Sequence, residues 1–254
     1  GDDELSCLMR NFNDMVEALA RTDYLQKDFI SNVSHEFKTP IVSIAGFARL
    51  LKNETLDREQ RREYLNIIEE ESLRLSDMAT NVLNLAKVEN QQILSNVSAF
   101  NLSEQVRNCF LQLEDKWSGK NLDADFDFGE VQICGNEELL RQVWLNLLDN
   151  AVKFTPYGGE VRIKIEERED SVCVSVINTG STVAPENRER IFRKFFQEDR
   201  SHSTKGNGIG LAVVRQIVNL HGGSVWVESE QDCTTFKVLL PKTADERTGT
   251  LKNS

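Results

Sequence analysis

The stretch Asn146-Leu147-Leu148-Asp149-Asn150-Ala151-Val152-Lys153-Phe154-Thr155-Pro156 closes a run that starts at Glu137 and keeps helical spacing through Phe154. Leu139, Leu140, Val143 and Leu147 give that helix an apolar stripe, the signature of an element packed on a core. Asn146, Asn150 and Lys153 fall about one turn apart on a single face. Amide oxygens suit a hard cation such as Mg²⁺ when it also holds phosphates, and a lysine can neutralise a phosphate oxygen. A helix cap with a solvated polar face is the competing reading of the same three residues.

Outward from this helix, strands and helices mix without βαβ regularity. Leu122–Phe128, Val131–Cys134, Val161–Glu166, Val172–Ile177, Ser224–Ser229 and Thr234–Leu240 have β-branched or aromatic residues in partial alternation, as strands do. Phe100–Lys116 reads as one helix and Ile209–His221 as another. The expectation is an α+β two-layer sandwich, helices on one sheet. Just before the last helix stands Gly206-Asn207-Gly208-Ile209-Gly210-Leu211. Glycines allow close backbone approach, and a helix start offers unpaired N–H groups to an anion. Alone the string is a weak signal, equally a flexible loop. No Gly-Lys-Ser/Thr follows it as in a Walker loop, and no strand precedes it as in the dinucleotide fingerprint.

Toward the N-terminus the pattern becomes purely helical. Leu5, Leu8, Phe12, Met15 and Leu19 alternate steps of three and four, a heptad seam. The opening Gly1-Asp2-Asp3-Glu4 falls in mid-seam, as expected of a fragment of something longer. A helix from about Thr22 to Lys52 carries Ile30, Val33, Phe37, Ile41, Ile44, Ala48 and Leu51. A second, from Arg58 to about Asn90, carries Leu65, Ile68, Ser72, Leu75, Ala79, Val82 and Ala86. Asp57, in the short turn between them, is a candidate N-cap. Two long helices joined this way form an antiparallel hairpin, and pairing with a second copy would complete a four-helix bundle. His35 lies two residues from both Val33 and Phe37, about 200° around the helix. It therefore points to solvent, next to Glu36 and shortly before Lys38, Thr39 and Pro40. An exposed imidazole is either an ordinary surface group or a nucleophile whose proton a neighbouring carboxylate takes. Geometry alone leaves both open.

Composition bounds the rest. Acidic residues outnumber basic ones 41 to 30, and the net charge of -11 argues against a protein that coats nucleic acid. The five cysteines have no CxxC spacing, so reduced thiols are expected rather than disulfides or a zinc site. No apolar run approaches the roughly 20 residues of a membrane span.

The run Phe29-Ile30-Ser31-Asn32-Val33-Ser34-His35-Glu36-Phe37-Lys38-Thr39-Pro40 closely resembles the H-box of bacterial sensor histidine kinases. The resemblance implies that His35 is the phosphoacceptor and Glu36 the general base. Thr39 would orient water when a response regulator is dephosphorylated, and Lys38 stands in the same catalytic group. The helix ending at Phe154 and the glycine string are similar to the N-box and glycine box of the Bergerat-type ATPase fold. Arg190-Ile191-Phe192-Arg193-Lys194-Phe195-Phe196 resembles the F-box, and Thr234-Thr235-Phe236 the short strand motif that follows. By that likeness Asn150 is a Mg²⁺ ligand with Asn146 beside it, Lys153 meets phosphate and Phe154 lines the adenine pocket. Lys194 takes the place of an arginine near the γ-phosphate, and Ile191 to Lys205 form a lid over ATP. Gly180, Val183, Lys205, Gly206, Gly208, Gly210, Leu211, Thr234 and Thr235 complete the implied nucleotide contacts.

Two positions depart from the family. Asn178-Thr179-Gly180-Ser181-Thr182 replaces the usual Asp-x-Gly-x-Gly, so a neutral acceptor stands where a carboxylate takes the adenine amino group. Cys233 replaces a common glycine. The opening Asp3 to Met15 resembles the end of a HAMP linker. The implied organisation is a linker helix over 1–21, a dimerisation and phosphotransfer hairpin over 22–92, an ATP-binding domain over 97–243 and a flexible tail over 244–254. It implies a homodimer working with a response regulator receiver domain on the cytoplasmic side of a bacterial membrane, its parent protein membrane-anchored. Asn178 keeps a second reading in view, a phosphatase-biased or nucleotide-poor signalling scaffold. A Bergerat-type ATPase doing conformational work is a third.

Overall fold

The computed structural model describes residues 30–53, 55–91, 93–197, 208–230 and 232–243. The expected linker helix over 1–21 and the tail over 244–254 lie outside these residues. The chain divides into two compact units, one ending at Thr80 and the other starting at Asn81.

In the first unit, helix α1 is described over residues 30–50 and continues through Pro40, which is buried. Helix α2 runs Arg58–Glu89. Asp57 caps it: its Oδ1 accepts the N–H groups of Glu59 at 2.9 Å and Gln60 at 2.8 Å, and Gln60 Oε1 accepts the Asp57 N–H at 3.3 Å. That reciprocal capping box satisfies N–H groups that the helix itself cannot pair. Phe47 of α1 meets Tyr64 of α2 with ring centroids 5.3 Å apart. The expected stripes are only partly covered. Val33, Phe37, Ile44 and Ile68 are half-buried, whereas Ile30 and Ile41 are 56% and 50% exposed and Leu65 is 56% exposed. Heptad spacing correctly marks apolar residues, but a helix in a two-helix hairpin turns only one flank to its mate.

The second unit begins inside α2, before the change of sequence pattern at Gln91. Leu85 and Val88, each 1% exposed, anchor that end of the helix. A short strand β1 (Ser98–Asn101) pairs antiparallel with β3 (Gln132–Gly135). The main sheet has five strands in the order β2-β4-β5-β7-β6. They are β2 (Asp123–Asp127), β4 (Glu160–Glu167), β5 (Ser171–Thr179), β6 (Ser224–Glu230) and β7 (Cys233–Pro241). Only β2 and β4 are parallel; the other neighbours are antiparallel. Helices α3 (Leu102–Leu111), α5 (Glu137–Phe154) and α6 (Gly210–Leu220) form the second layer of the sandwich. On α5, Leu140, Val143, Trp144, Leu147, Leu148, Ala151 and Val152 are all at most 2% exposed. The indole of Trp144 donates to Gln105 Oε1 at 2.8 Å, so its burial leaves no orphaned donor.

The expected single helix over Phe100–Lys116 is wrong. Phe100 belongs to β1, α3 stops at Leu111, and a separate short helix α4 (Glu114–Ser118) follows. Phe100 and Leu113 are both buried; their burial on either side of α3 fits helical spacing while the backbone turns away between them. Cys109, Cys134, Cys173 and Cys233 are free thiols. Burial pushes Cys109 up to about 11, with Arg141 opposing, so its thiol stays protonated.

The edge strand β2 is exposed along its whole length. Asp125 and Asp127 pair with Arg162 at 2.8 Å and Lys164 at 3.0 Å on β4.

Candidate nucleotide-binding and phosphoacceptor sites

Asn136 caps α5, its Oδ1 accepting the Leu139 N–H at 2.9 Å, and Asn101 caps α3 in the same way. Helix α6 differs: Ile209 at its N-cap makes no side-chain cap bond. Among the described residues no side chain caps its first N–H groups, which carry the positive end of the helix dipole and suit an anionic acceptor. This uncapped end is pressed onto α5. A Cβ on Gly210 would sit 2.6 Å from Asn146 Oδ1, so only glycine permits the approach. Asn146 Nδ2 donates to the Gln142 carbonyl at 2.8 Å, which leaves its oxygen toward α6. Asn150, one turn on, is half-buried and has no hydrogen-bond partner among the described residues. In the last turn Lys153 Nζ lies 4.8 Å from the centroid of the Phe154 ring.

That last turn is held by a residue the sequence did not point to. Lys120 Nζ donates to the carbonyls of Val152, Lys153 and Thr155 at 2.9, 2.7 and 2.9 Å, capping the C-terminus of α5. A cation there also complements the negative end of the helix dipole. Its partners are 32 to 35 residues away in sequence, and no local pattern marks it.

The other wall lies at the end of β5. Register places Val161, Asn178, Thr234 and Ser229 in one row across the sheet; the last three form a buried polar group at 2%, 2% and 8% exposure. The turn after Asn178 is fastened to β6 and β7: the Gly180 N–H donates to Asp232 O at 2.7 Å, Thr234 Oγ1 to Ser181 O at 2.7 Å, and the Val183 N–H to Ser229 Oγ at 2.9 Å. Gly180 has φ +80, and a Cβ there would collide with Pro156 Cδ. That contact brings the end of α5 and the end of β5 together, and only glycine permits it. Thr235, expected among the nucleotide contacts, lies on the sheet face opposite Thr234 and Phe236 by strand alternation.

Lys194 Nζ pairs with Glu89 Oε1 at 2.5 Å, so it must leave that carboxylate to reach a phosphate. The F-box segment and the glycine box are clasped by a hydrogen bond from the Phe195 N–H to Gly208 O at 2.8 Å, with Phe195 at φ +60, rare for an aromatic residue. Leu211 lies in the first turn of α6, half-buried. Lys205 and Gly206, and most of the expected lid, lie outside the described residues.

His221 ties the far ends of both site helices. It is 6% exposed, its Nδ1–H bonds the Ile217 carbonyl at 2.8 Å, and its Nε2 accepts the Asn136 N–H at 3.1 Å. Burial holds its pKa below the ordinary histidine value, against the opposing bond to Ile217.

In the first unit His35 is exposed, as its helical phase requires, and so are Lys38 and Thr39. Thr39 Oγ1 lies 3.4 Å from the His35 carbonyl. Glu36 is half-buried, with Arg74 of α2 at 3.8 Å; Arg74 also stands 3.8 Å from Glu71. Arg74 is a second residue that sequence reading passed over.

The described residues thus comprise a helical hairpin and an α+β sandwich in which the start of α6 is set against Asn146 of α5. Residues 135–244 match the family described as histidine kinase-, DNA gyrase B-, and HSP90-like ATPase, and residues 25–91 match the His Kinase A (phospho-acceptor) domain. The chain is 31% identical over 240 residues to the heme sensor protein HssS of Staphylococcus aureus, covering 94% of this chain and 52% of that protein. It thus spans about half the length of the curated relatives it matches. The solved catalytic domain of the histidine kinase ThkA is similar at 31% identity and TM-score 0.55, over 60% of this chain and 99% of that one. ThkA in complex with the response regulator protein TrrA is similar at 30% identity and TM-score 0.73, over 87% and 63%. The chain belongs to the histidine kinase family.

Proposed function

We propose that the chain is the catalytic portion of a sensor histidine kinase that phosphorylates His35 from ATP and passes the phosphoryl group to an aspartate of a response regulator. The observation that carries this reading is the uncapped start of α6 set against Asn146, on the same chain as an exposed His35 in a His-Glu-x-x-Thr-Pro sequence. In the transfer, a ring nitrogen of His35 attacks the γ-phosphorus and the bond to the ADP oxygen breaks. Glu36, held beside Arg74, takes the proton from the other ring nitrogen. Lys153 and the α6 N–H groups neutralise phosphate charge.

Mg²⁺ fits the site through amide oxygen rather than a carboxylate cage. Among the described residues the Asn150 side chain has no hydrogen-bond partner, and no group of three or more His, Cys, Asp or Glu could hold a metal. Asn150 would hold the ion together with the nucleotide phosphates, and Asn146 stands beside it; bound there, it would neutralise charge on the transferring group.

The exposed Ile30, Ile41, Leu65 and Leu73 of the hairpin support a homodimer that completes a four-helix bundle. We assign residues 22–92 to the hairpin and 97–243 to the ATP-binding domain. ThkA's complex with TrrA supports a receiver domain as the partner; Thr39, exposed one turn after His35, would serve dephosphorylation of that partner. Among the described residues no helix is long and apolar enough to cross a membrane. We place this portion on the cytoplasmic side of a membrane-anchored parent, as its likeness to a sensor protein supports.

Incubation with γ-labelled ATP and Mg²⁺ should give acid-labile label on the protein that is lost in His35→Gln. ATP hydrolysis without protein label would instead fit a conformational ATPase. The neutral Asn178 favours a phosphatase-biased scaffold as the second reading, and total absence of ATP binding would select it.

A further inference from the structure

Asn178 poses a problem of chemical symmetry. A carboxylate presents oxygen at both ends, whereas a carboxamide presents an acceptor at one end and a donor at the other. An amide free to turn over would offer N–H₂ as readily as oxygen. It would then accept a base bearing a carbonyl as readily as one bearing an amino group.

The structure assigns to Ser181 the task of preventing this: we propose that Ser181 is a positioning residue that locks the Asn178 amide with its oxygen toward the base and so sets the preference for adenine over guanine nucleotides. The inference rests on the nucleotide site proposed above. Asn178 Nδ2 lies 2.9 Å from Ser181 Oγ and 3.5 Å from the Thr179 carbonyl. A backbone carbonyl only accepts, so the end of the amide facing it is the NH₂ end; turning the amide over would set two oxygens against each other. The Thr179 carbonyl decides which end of the amide is which; the serine hydroxyl, able to donate or accept, accepts the shorter bond from that end and holds the side chain where the carbonyl can act on it.

Ser181 is itself fixed. Its carbonyl takes the Thr234 hydroxyl at 2.7 Å, and its neighbours Gly180 and Val183 are bonded to Asp232 O and Ser229 Oγ. With Nδ2 engaged, Oδ1 is the end of the Asn178 side chain without a partner among the described residues. An acceptor there welcomes the exocyclic amino group of adenine and opposes the O6 oxygen of guanine. A buried group left facing a like group is the strongest source of selectivity such a pocket has.

The test is titration of the whole chain with Mg·ATP and with Mg·GTP in the wild type, Ser181→Ala, Ser181→Thr, Asn178→Asp and the double variant Asn178→Asp/Ser181→Ala. The wild type should prefer ATP. Ser181→Ala should reduce the ratio of the two dissociation constants by about tenfold, the worth of roughly one neutral hydrogen bond. Ser181→Thr, which keeps the hydroxyl, should retain the wild-type ratio. Asn178→Asp should retain the preference for ATP, and adding Ser181→Ala to it should change the ratio by less than about twofold, because a carboxylate has no wrong end. An unchanged ratio in Ser181→Ala, with ATP still bound, overturns this inference alone. So does an equal shift in both backgrounds, which would make Ser181 a prop for the turn. A wild type that binds neither nucleotide overturns the nucleotide site, and this inference with it.

Discussion

Replacing His221 by alanine should destabilise the second unit by an amount that shrinks as the solution is acidified. The imidazole joins the C-terminus of α6 to the N-terminus of α5 through two bonds, at 2.8 Å to Ile217 O and 3.1 Å from the Asn136 N–H. Asn136 is 7% exposed, so its N–H would be left buried without a partner, at a cost of about 1–3 kcal/mol. Lost packing of the ring beside Gly135 adds to this, for a total of about 2–4 kcal/mol. In a unit of this size that lowers Tm by roughly 5–12 °C at neutral pH.

The pH dependence follows from linkage. Burial holds the folded-state pKa of His221 below its ordinary value near 6.5. Below about pH 6.5 the unfolded chain therefore binds the extra proton first, and stability falls with pH by at most about 1.4 kcal/mol per unit until the lowered pKa is passed. The contribution is complete above pH 6.5 and is drawn down beneath it. Glu130, lowered mainly by its bond from Asn101, and Glu228, lowered mainly by Lys237, respond at more acid pH and are common to both proteins. All three tryptophans, Trp117, Trp144 and Trp226, lie in the second unit, so intrinsic fluorescence during urea unfolding reports on it selectively. The stability gap between wild type and His221→Ala should narrow from pH 7.5 to 5.5. A gap that stays constant over that range would refute the reasoning.

Other perturbations test the site more directly. Gly210→Ala drives a methyl to 2.6 Å from Asn146 Oδ1, so ATP affinity measured by calorimetry should fall at least about tenfold, with a loss of about 1–3 kcal/mol in urea unfolding. Lys120→Met removes three carbonyl caps from α5; a loss of about 1–2 kcal/mol in urea unfolding, with weaker nucleotide binding, is expected. Glu89→Gln releases Lys194 from an exposed ion pair worth about 0.2–1 kcal/mol, so ATP should bind up to about fivefold more tightly. Arg74→Ala takes the cation from beside Glu36, and the rate of label incorporation on His35 should drop several-fold while the ATP dissociation constant stays the same.

The elements that the sequence revealed are those with a local signature. Eighteen residues of α5 have matching bounds because one face repeats Leu140, Val143, Leu147 and Ala151 through the core. Asp57 was legible as a cap because capping is a matter of side-chain type and a three-residue reach. Strand β1 and the break after Leu111 were not, since four residues whose pairing partner lies at Gln132–Gly135 carry no period of their own. The same division holds in the site. Asn146, Asn150 and Gly210 sit in motifs, whereas Lys120 and Arg74 act through partners set by the fold, and their neighbours in sequence say nothing of it. Thr234 and Thr235 were read together, but a two-residue Thr-Thr motif spans both faces of a strand, and only Thr234 joins the buried polar row.

The borders of the five-stranded sheet bear on how the protein behaves at high concentration. One border carries Asp123, Asp125 and Asp127, the other Glu228 and Glu230. A neighbouring molecule offering its own border would bring carboxylates against carboxylates, on a chain already eleven charges negative. Lateral growth of the sheet into fibrils is thereby discouraged, and neutralising these acids should raise turbidity on storage before it alters the fold.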